Sequence, residues 1–260
     1  MSSPFPAVLA FAASDPTGGA GVQADILTIG ALGGHGLSVI TALTAQDTSG
    51  VARILPVEPG WITEQARRVL ADIPVAAFKA GVLGTAQNMR AVSEIVAQFP
   101  AVPFVVDPVL ASGRGDALVQ GDAIEALREL IVPRATVLTP NSLEARRLAD
   151  GAADLAECAQ RLLDHGCKYV LITGTHEPGV DVVNTLYDES GVVREDRWPR
   201  LPAEYHGSGC TLASALATRL AQGVAVAEAV REAQHFTWQS LAAGFRPGAG
   251  QLLPNRFFRQ

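Results

Sequence analysis

The residues best suited to chemistry lie in the stretch 206–211, which reads His-Gly-Ser-Gly-Cys-Thr and precedes small residues in a helical pattern. Glycines and a serine before a helix allow several backbone N–H groups to converge on one point. The first N–H groups of a helix have no intrahelical partner, and its dipole adds partial positive charge there. An anion such as a phosphoryl group in transfer is therefore the expected ligand of Gly207, Ser208 and Gly209. A tight turn before a packed helix is the structural alternative.

Cys210 follows directly, at the start of the expected helix. A helix N-terminus lowers the pKa of a thiol, so the sequence predicts an accessible thiolate at this position. Beside a phosphoryl group, such a thiolate could accept the proton of an alcohol as a general base. Leu212, Leu216 and Leu220 recur every four residues and indicate one buried face, and Gly223 is typical of a helix end.

A set of polar side chains falls at or just after short apolar runs that are predicted to be strands. These residues are Asp15, Gln46, Lys79, Asp107 and Asn141. Ligands of open α/β sheets bind beyond the carboxyl ends of the strands, so these side chains are expected to meet the 206–211 stretch there. Each one also has a structural explanation as a turn residue, a cap or half of an ion pair. Together they favour a ligand site.

The elements that must position these residues follow from alternating apolar runs and helical patterns. The predicted strands are 7–12, 37–41, 75–78, 104–106, 136–138 and 169–172, with an edge hairpin formed by 185–187 and 192–193. The predicted helices include 61–72, 88–99, 123–131 and 142–148. This alternation is typical of βαβ units and a mostly parallel sheet covered by helices. Without a linker or a repeat, one domain over residues 1–260 is expected.

Composition and charge exclude several classes of function. The chain has 260 residues, of which 48% are hydrophobic, and a formal net charge of −6, which argues against a nucleic-acid-binding protein. Three cysteines without C-x-x-C indicate neither a disulfide framework nor a structural zinc site. Since no apolar run could cross a bilayer and no signal peptide is apparent, a soluble cytoplasmic protein is expected. A Walker-type ATP loop and a dinucleotide fingerprint are also absent from the sequence.

Ordered motifs over most of the chain resemble those of hydroxymethylpyrimidine/phosphomethylpyrimidine kinases, which belong to the ribokinase-like superfamily. The similar stretches are 14–25, 38–46, 79–84, 107–109, 139–144 and 205–212. The resemblance implies a three-layer α/β/α fold with a mostly parallel central sheet and an edge hairpin. It also implies ATP- and Mg²⁺-dependent phosphorylation of 4-amino-5-hydroxymethyl-2-methylpyrimidine, and then of its monophosphate, in thiamine diphosphate biosynthesis.

The same resemblance assigns a substrate end of the site. Gln46 would hydrogen-bond the ring nitrogen and the amine of the pyrimidine, and Asp25, Val82 and Val109 would also be at the substrate. Val82 stands where many relatives have a larger methionine. In the 206–211 stretch the two glycines and the serine would form the anion hole, and Cys210 would take the place of an aspartate base of the superfamily's sugar kinases.

A nucleotide and metal end is implied in the same way. Asn141 and Glu144 match an N-x-x-E pattern associated with magnesium and phosphate, and Asp107 is expected nearby as a second metal ligand. Thr173 stands where relatives have a lysine near the nucleotide phosphates. Our hypothesis for the missing cation is Arg114, which lies in a loop that departs from the family pattern.

Two other functions remain open from the sequence. A pyridoxal kinase of the same superfamily would phosphorylate a similar ring alcohol. A non-catalytic protein that binds or senses pyrimidines would keep the ring pocket, but would not need Asp107, Asn141, Glu144 and Cys210 together. The resemblance further implies a homodimer.

Overall fold

The computed structural model describes residues 5–110, 122–152 and 154–259 of the chain. Its centre is one sheet, whose strands we number in chain order. The strands are β1 Ala7–Ser14, β2 His35–Asp47, β3 Gly50–Pro56, β4 Val75–Ala80, β5 Phe104–Val106, β6 Val137–Leu138, β7 Tyr169–Thr173, β8 Asp181–Asp188 and β9 Gly191–Pro199. Their order across the sheet is β3-β2-β1-β4-β5-β6-β7-β8-β9.

The inner part of the sheet is parallel and both edges are antiparallel. Strands β2, β1, β4, β5, β6 and β7 pair in parallel. At one edge β8 and β9 form the hairpin expected from the sequence, although each strand is longer than predicted. At the other edge β3 pairs antiparallel to β2, in a hairpin that the apolar runs did not predict. Its residues are mostly exposed or half-buried, so β3 lacks the continuous apolar pattern of an inner strand.

The helices are also numbered in chain order. They are α1 Gly21–Ala31, α2 Pro59–Asp72, α3 Ala86–Val96, α4 Asp122–Ala126, α5 Ser142–Leu148, α6 Leu155–Asp164, α7 Ser208–Ala221 and α8 Val226–Ala242. The predicted helix over 123–131 is an α-helix only in its first part, since α4 continues as the π-helical turn Leu127–Ile131. Within the described ranges no helix combines the length and the apolar character needed to span a membrane.

Two helical layers cover the sheet, which confirms the three-layer α/β/α fold. Successive side chains of a strand point to opposite faces. Thus Leu9 of β1 packs in one core cluster with Met89 of α3, on the side covered by α2 to α6. Val8 packs in a second cluster with Ile29 of α1 and Leu216 of α7, on the side covered by α1, α7 and α8.

The parallel strands place their carboxyl ends at one edge of the molecule, where the candidate residues lie. Asp15 and Asp107 directly follow β1 and β5, as predicted. Gln46 and Lys79 instead lie inside β2 and β4, because both strands extend farther than their apolar runs. The sequence pattern therefore located the correct edge and misjudged where two of the strands end.

Candidate active site

A cavity of about 560 Å³ opens at the carboxyl edge of the parallel strands. We call it the site cavity. Most of the site residues predicted from the sequence line its wall. They are Gln46, Val82, Asp107, Val109, Asn141, Glu144, Thr173, Gly207, Ser208, Gly209 and Cys210. Asp25 does not line the wall, and Arg114 lies outside the described residues.

The 207–210 segment, which we call the anion loop, forms the start of α7. Gly207 precedes the helix with a φ of 86°, in the left-handed region that favours glycine. A Cβ atom at this position would lie 1.8 Å from the carbonyl oxygen of Gly19. The Gly207 oxygen accepts the backbone N–H of Thr211 at 3.0 Å and its hydroxyl at 2.8 Å. The first N–H groups of α7 have no partner within the helix, and Ser208, Gly209 and Cys210, which carry them, line the cavity.

The position of the anion loop follows from its neighbours in the sheet. Gly207 approaches the loop after β1, whereas a Cβ at Gly209 would lie 3.2 Å from Asp107, which follows β5. Since β4 lies between β1 and β5, the anion loop covers the end of β4. Gln46 on β2 and Asn141 after β6 lie on opposite sides of it. The cavity thus has two ends joined at the anion loop.

Asp15 connects the glycine-rich turn after β1 to the segment entering the anion loop. Its carboxylate accepts the backbone N–H groups of Thr17 at 2.8 Å and Ala20 at 2.7 Å, and Oδ2 lies 2.9 Å from Nε2 of His206. Burial opposes ionisation of Asp15, but the hydrogen bonds from His206, Thr17 and Ala20 outweigh it and hold its pKa well below the usual range. Asp15 is therefore a buried brace between two loops of the site.

Asp25 and Lys79 form an ion pair beneath the cavity. The Nζ atom of Lys79 lies 2.9 and 3.0 Å from the two carboxylate oxygens of Asp25, and both side chains are 0% exposed. The hydroxyl of Ser214 donates to Asp25 at 2.7 Å. The oxygens of Asp25 are thus bound to buried partners beneath the cavity wall, and its place at the substrate stays a prediction. Burial opposes the charge on Lys79, but Asp25 raises its pKa above the usual range.

Two carboxylates that line the cavity, those of Asp107 and Glu144, have raised pKa values. Burial, opposed by Lys79, raises the pKa of Asp107 to about 6. Burial and then the charge of Asp107 raise the pKa of Glu144 to about 8. Glu144 accepts the backbone N–H groups of Asn141 at 3.0 Å and Leu110 at 3.3 Å. Oδ2 of Asp107 is buried with no hydrogen-bond partner among the residues that the structure describes.

Asn141 and Glu144 also form a capping box at the start of α5. The Asn141 side chain accepts the N–H groups of Leu143 at 3.0 Å and Glu144 at 2.9 Å, and Glu144 binds the Asn141 N–H in return. Thr173 forms an isolated parallel bridge with Asn141, and its N–H donates to Pro140 at 2.9 Å. The N-x-x-E spacing therefore has a structural role, while the bridge brings the two expected nucleotide residues, Asn141 and Thr173, side by side.

Cys210 lies in the first turn of α7, bordering the cavity on one side and surrounded by protein on the others. Burial raises the pKa of its thiol to about 12. Lys79 and a hydrogen bond from the Gly21 N–H act in the opposite direction, while Asp25 and Asp107 add to the rise. The expectation of a lowered pKa at this helix start is therefore wrong for the protein without ligands, because desolvation and two carboxylates outweigh the helix end.

Sequence reasoning missed one wall of the cavity, which α8 and the hairpin β8–β9 provide. Trp198 stacks on Trp238 with ring centroids 6.3 Å apart and an interplanar angle of 29°. The Gln234 side chain accepts hydrogen bonds from Trp198 Nε1 at 3.0 Å and from Asn184 Nδ2 at 2.8 Å. These residues are far apart in the sequence and belong to no motif, so no local pattern could have grouped them.

Comparison with known proteins adds a family to this geometry. Residues 15–255 match the family model described as phosphomethylpyrimidine kinase. A hydroxymethylpyrimidine/phosphomethylpyrimidine kinase of Streptomyces coelicolor is 45% identical over 255 residues, which cover 94% of this chain and 92% of the relative.

Solved structures agree on the fold. The phosphomethylpyrimidine kinase of Clostridium difficile 630 is 32% identical, with a TM-score of 0.79 over 91% of this chain and 99% of the other. The pyridoxal kinase of Staphylococcus aureus in complex with ADP is 27% identical, with a TM-score of 0.90 over 99% of this chain and 96% of the other. Relatives of this identity and coverage, together with the matched family model, establish that the chain belongs to the phosphomethylpyrimidine kinase family.

Proposed function

We propose that the chain transfers the terminal phosphoryl group of ATP to 4-amino-5-hydroxymethyl-2-methylpyrimidine, and then to the resulting monophosphate. The observation that carries this proposal is the position of the anion loop. It forms the start of α7 and lines one cavity together with Gln46 and Asn141. Relatives carry the name hydroxymethylpyrimidine/phosphomethylpyrimidine kinase, and one is a thiamine biosynthesis bifunctional protein. The diphosphate product would therefore enter thiamine diphosphate biosynthesis.

The anion loop supplies the chemistry that phosphoryl transfer needs most. The transferred group carries charge on its equatorial oxygens, and catalysis depends on positioning and stabilising that charge. The free N–H groups at residues 208–210 are fixed donors at a helix N-terminus. Lys79 adds a buried positive charge that borders the same cavity.

The substrate end would bind the ring of the pyrimidine. The side-chain amide of Gln46 offers one acceptor and two donors, which match a ring nitrogen and the adjacent amine. Gln46 is held in β2 by its register with Val51 of β3. Val82 and Val109 provide apolar wall beside it. Substrate selectivity would therefore depend on the amide for orientation and on the two valines for the size of the ring pocket.

The nucleotide end would hold ATP, with Asn141 and Thr173 near its phosphates. Support comes from the parallel bridge that joins the two residues at the ends of β6 and β7. A structural neighbour, the Staphylococcus aureus pyridoxal kinase, was solved in complex with an ATP analogue and pyridoxal together. In this arrangement the phosphoryl group would pass from the nucleotide end to the substrate end across the anion loop.

Asp107 and Glu144 would hold Mg²⁺ between them. Among the described residues no cluster of three or more His, Cys, Asp or Glu side chains has the spacing of a metal site, so further ligands would be water or phosphate oxygens. The donor set fits this cation, since both residues supply carboxylate oxygens and Oδ2 of Asp107 is buried with no hydrogen-bond partner in the described part of the chain. When bound, Mg²⁺ would offset the charge of the triphosphate. Asp107 and Glu144 would ionise together with its binding, because burial raises both pKa values and the charge of Asp107 raises that of Glu144 further.

Cys210 would accept the proton of the substrate hydroxyl. Its thiol borders the cavity in the first turn of α7, next to the donors that bind the phosphoryl group. With a pKa of about 12 the thiol is protonated at neutral pH. Only the small thiolate fraction would act as the base, so the rate would follow that fraction as the pH changes.

The direct test is release of ADP from Mg-ATP with the hydroxymethyl pyrimidine, with products followed by mass. Successive monophosphate and diphosphate would support the proposal. Absence of both products under conditions where the protein is folded would contradict it. The same assay with Cys210→Ala separates the reaction from the thiol: a nearly complete loss of rate supports the role of Cys210, and full activity removes it while leaving the kinase.

A second candidate function is phosphorylation of pyridoxal. The observation that favours it is the structural similarity to the pyridoxal kinase of Staphylococcus aureus, with a TM-score of 0.90. Turnover of pyridoxal without turnover of the pyrimidine would establish this alternative. If neither alcohol is phosphorylated but the pyrimidine binds, the chain would be a binding or sensing protein.

We further propose that the chain forms a homodimer in the cytoplasm, each copy acting as one domain over residues 1–260. Leu43 of β2 and Leu55 of β3 are cross-strand partners and are 47% and 58% exposed. Two neighbouring leucines on an edge hairpin form an apolar patch that a second copy would cover. The continuous sheet from β3 to β9 supports a single domain.

A further inference from the structure

A segment near the end of the chain packs against the residues that lead into the anion loop. Leu252 accepts the backbone N–H of His206 at 2.9 Å and donates its own N–H to Glu204 at 3.1 Å. Its neighbour Leu253 is buried. This pairing carries the chain toward the start of α7 and delivers the side chain of Arg256 behind the anion loop.

The guanidinium of Arg256 is buried among backbone and hydroxyl oxygens. Arg256 as a whole residue is only 5% exposed. Nη2 donates to the carbonyl oxygen of Gly19 at 2.6 Å, Nη1 to that of Gly18 at 3.4 Å, and Nε to the hydroxyl of Thr211 at 3.1 Å. Over the ranges that the structure covers, no carboxylate forms an ion pair with it. Burying an arginine without a paired carboxylate costs free energy, so packing alone does not account for its position here.

The contact with Thr211 fixes the direction of a hydrogen-bond chain. A hydroxyl has one proton, and the Thr211 oxygen already accepts from Nε of Arg256. Its proton is therefore directed at the carbonyl oxygen of Gly207, 2.8 Å away. In a planar trans peptide the C=O and the following N–H point in opposite directions. Holding the Gly207 oxygen along α7 thus holds the N–H of Ser208 toward the site cavity.

The contacts with Gly18 and Gly19 act on the other side of the same peptide. The Gly19 oxygen would lie only 1.8 Å from a Cβ atom at Gly207, so the two segments are in close contact. Arg256 binds this oxygen from behind and keeps the glycine turn pressed against Gly207. One guanidinium therefore joins the two backbone segments that shape the anion loop.

We propose that Arg256 is a positioning residue for phosphoryl transfer: through Thr211 and the glycine turn it fixes the peptide between Gly207 and Ser208, so that the Ser208 N–H meets the transferred group. Arg256 itself does not touch the substrate. The inference rests on the proposed transfer at the anion loop. Loss of a residue that only anchored residues 251–256 would lower Tm. Loss of a positioning residue would lower kcat, the rate at saturating substrate.

The test measures kcat, the KM of both substrates and Tm for Arg256→Met, Thr211→Val and the double variant. Arg256→Met keeps the length of the side chain and removes its donors. We expect each single variant to lower kcat about 10- to 100-fold with little change in either KM, because a misplaced donor costs rate and not ground-state binding. Since both act through one hydrogen-bond chain, the double variant should be no slower than Arg256→Met.

Matched controls separate this role from general damage. Arg246 is exposed and donates to the Gly250 carbonyl, near the end of the chain and away from the anion loop, so Arg246→Met should leave kcat unchanged. Thr211→Ser keeps the hydroxyl and should retain most of the rate that Thr211→Val loses. Arg256→Lys keeps one donor and should give an intermediate kcat.

Three results would overturn the proposal: an unchanged kcat in Arg256→Met, a loss confined to KM, or losses that multiply in the double variant. If Arg256→Met does not fold, the kcat values of Thr211→Val and Thr211→Ser are compared instead. Equal kcat values for these two variants would reject the hydrogen-bond chain through Thr211. The wild-type protein in the same assay reports the proposed function separately. Should it phosphorylate only pyridoxal, the same set of variants measured with pyridoxal still tests Arg256.

Discussion

The charge on the Cys210 thiol is set by groups that come from three other parts of the chain. Lys79 lies in β4, Asp25 in α1, and Asp107 follows β5. The local sequence shows only that Cys210 opens a helix, which by itself lowers a thiol pKa. Burial and the two carboxylates reverse that effect, and neither could be inferred from neighbouring residues. At this scale the sequence identifies the chemical group and leaves its protonation state open.

A rise of rate with pH is the first consequence. With a pKa of about 12, the thiolate fraction of Cys210 increases about tenfold per pH unit through the neutral and mildly alkaline range. If the thiolate accepts the hydroxyl proton, kcat at saturating Mg²⁺, which would keep Glu144 ionised, should climb from pH 7 to pH 9, and Cys210→Ala should be slow and insensitive to pH. Cys158→Ala, which alters a buried cysteine in α6, is the control. A flat profile in the wild type would reject Cys210 as the base.

Asp15 should make the fold sensitive to acid. Its pKa is lowered in the folded state, so the stabilisation is complete above the unfolded value near 4 and is lost as the pH falls through the lower folded value. Asp15→Asn removes the charge that His206 and two N–H groups bind, and should reduce the free energy of unfolding at pH 7 by about 1–3 kcal/mol.

Urea unfolding at pH 7 and at pH 3 measures this effect. The difference between wild type and Asp15→Asn should shrink at the lower pH, because at pH 3 the Asp15 carboxylate of the unfolded wild-type chain binds protons while that of the folded protein stays ionised. Asp72→Asn, at an exposed position ending α2, is the matched control. An equal difference at both pH values would contradict the assignment of Asp15 as an ionised brace.

Among the elements, those buried on both faces were predictable and those at the borders were not. The run of eight residues in β1 is almost wholly buried, which is why its apolar pattern predicts a strand. In β3 the residues are exposed or half-buried, and the pattern is lost. The site divides in the same way: loops after strands were found by position, whereas the wall formed by Trp198 and Gln234 exists only after distant elements pack.

The two glycines that flank α7 provide a prediction for this element. Gly207 and Gly223 have similar positive φ values, 86° and 82°, but a Cβ at 207 would lie 1.8 Å from a carbonyl oxygen, whereas none lies within 4 Å at 223. Gly223→Ala should therefore lose about 1 kcal/mol of stability and keep kcat. Gly207→Ala should lose more stability and most of its activity, because the anion loop must move away from Gly19.

Thermal unfolding and kcat for the two variants separate backbone strain from displacement of the loop. Equal stability losses with equal activity would show that the close approach of Gly207 to Gly19 does not position the loop. A severe loss of activity in Gly223→Ala would indicate that strain at either end of α7 is sufficient.

On the scale of the whole molecule, the sheet has a parallel centre and two antiparallel edges. The β2–β3 edge both borders the site cavity, through Gln46, Val51 and Ile54, and carries the exposed pair Leu43 and Leu55. A second copy that covers this edge would therefore contact the strands that form the substrate end of the site. The sequence missed this hairpin, so it offered no β2–β3 surface for the dimer that the resemblance implied.

Leu55→Glu should therefore weaken the proposed homodimer, since it places a charge in the apolar patch. Light scattering should report a mass near twice that of the chain for the wild type and near that of the chain for the variant, at unchanged Tm of the monomer. Val180→Glu, at a position 88% exposed in another part of the molecule, is the control. A wild-type mass equal to one chain, or a variant that stays dimeric, would reject the β2–β3 surface.

The pairing of Leu252 with the residues before the anion loop has a consequence for synthesis of the protein. During translation, β1, the glycine turn and α7 all emerge from the ribosome before residues 251–256 do. Domains fold progressively as the chain lengthens, so the sheet and its helices can assemble while the support behind Gly207 is still missing. A nascent chain whose α8 has emerged from the ribosome would thus form most of the cavity while the anion loop still lacks its contacts with residues 251–256. With the proposed role of Arg256, vectorial synthesis would delay the geometry of the anion loop until the stretch that contains Arg256 can dock.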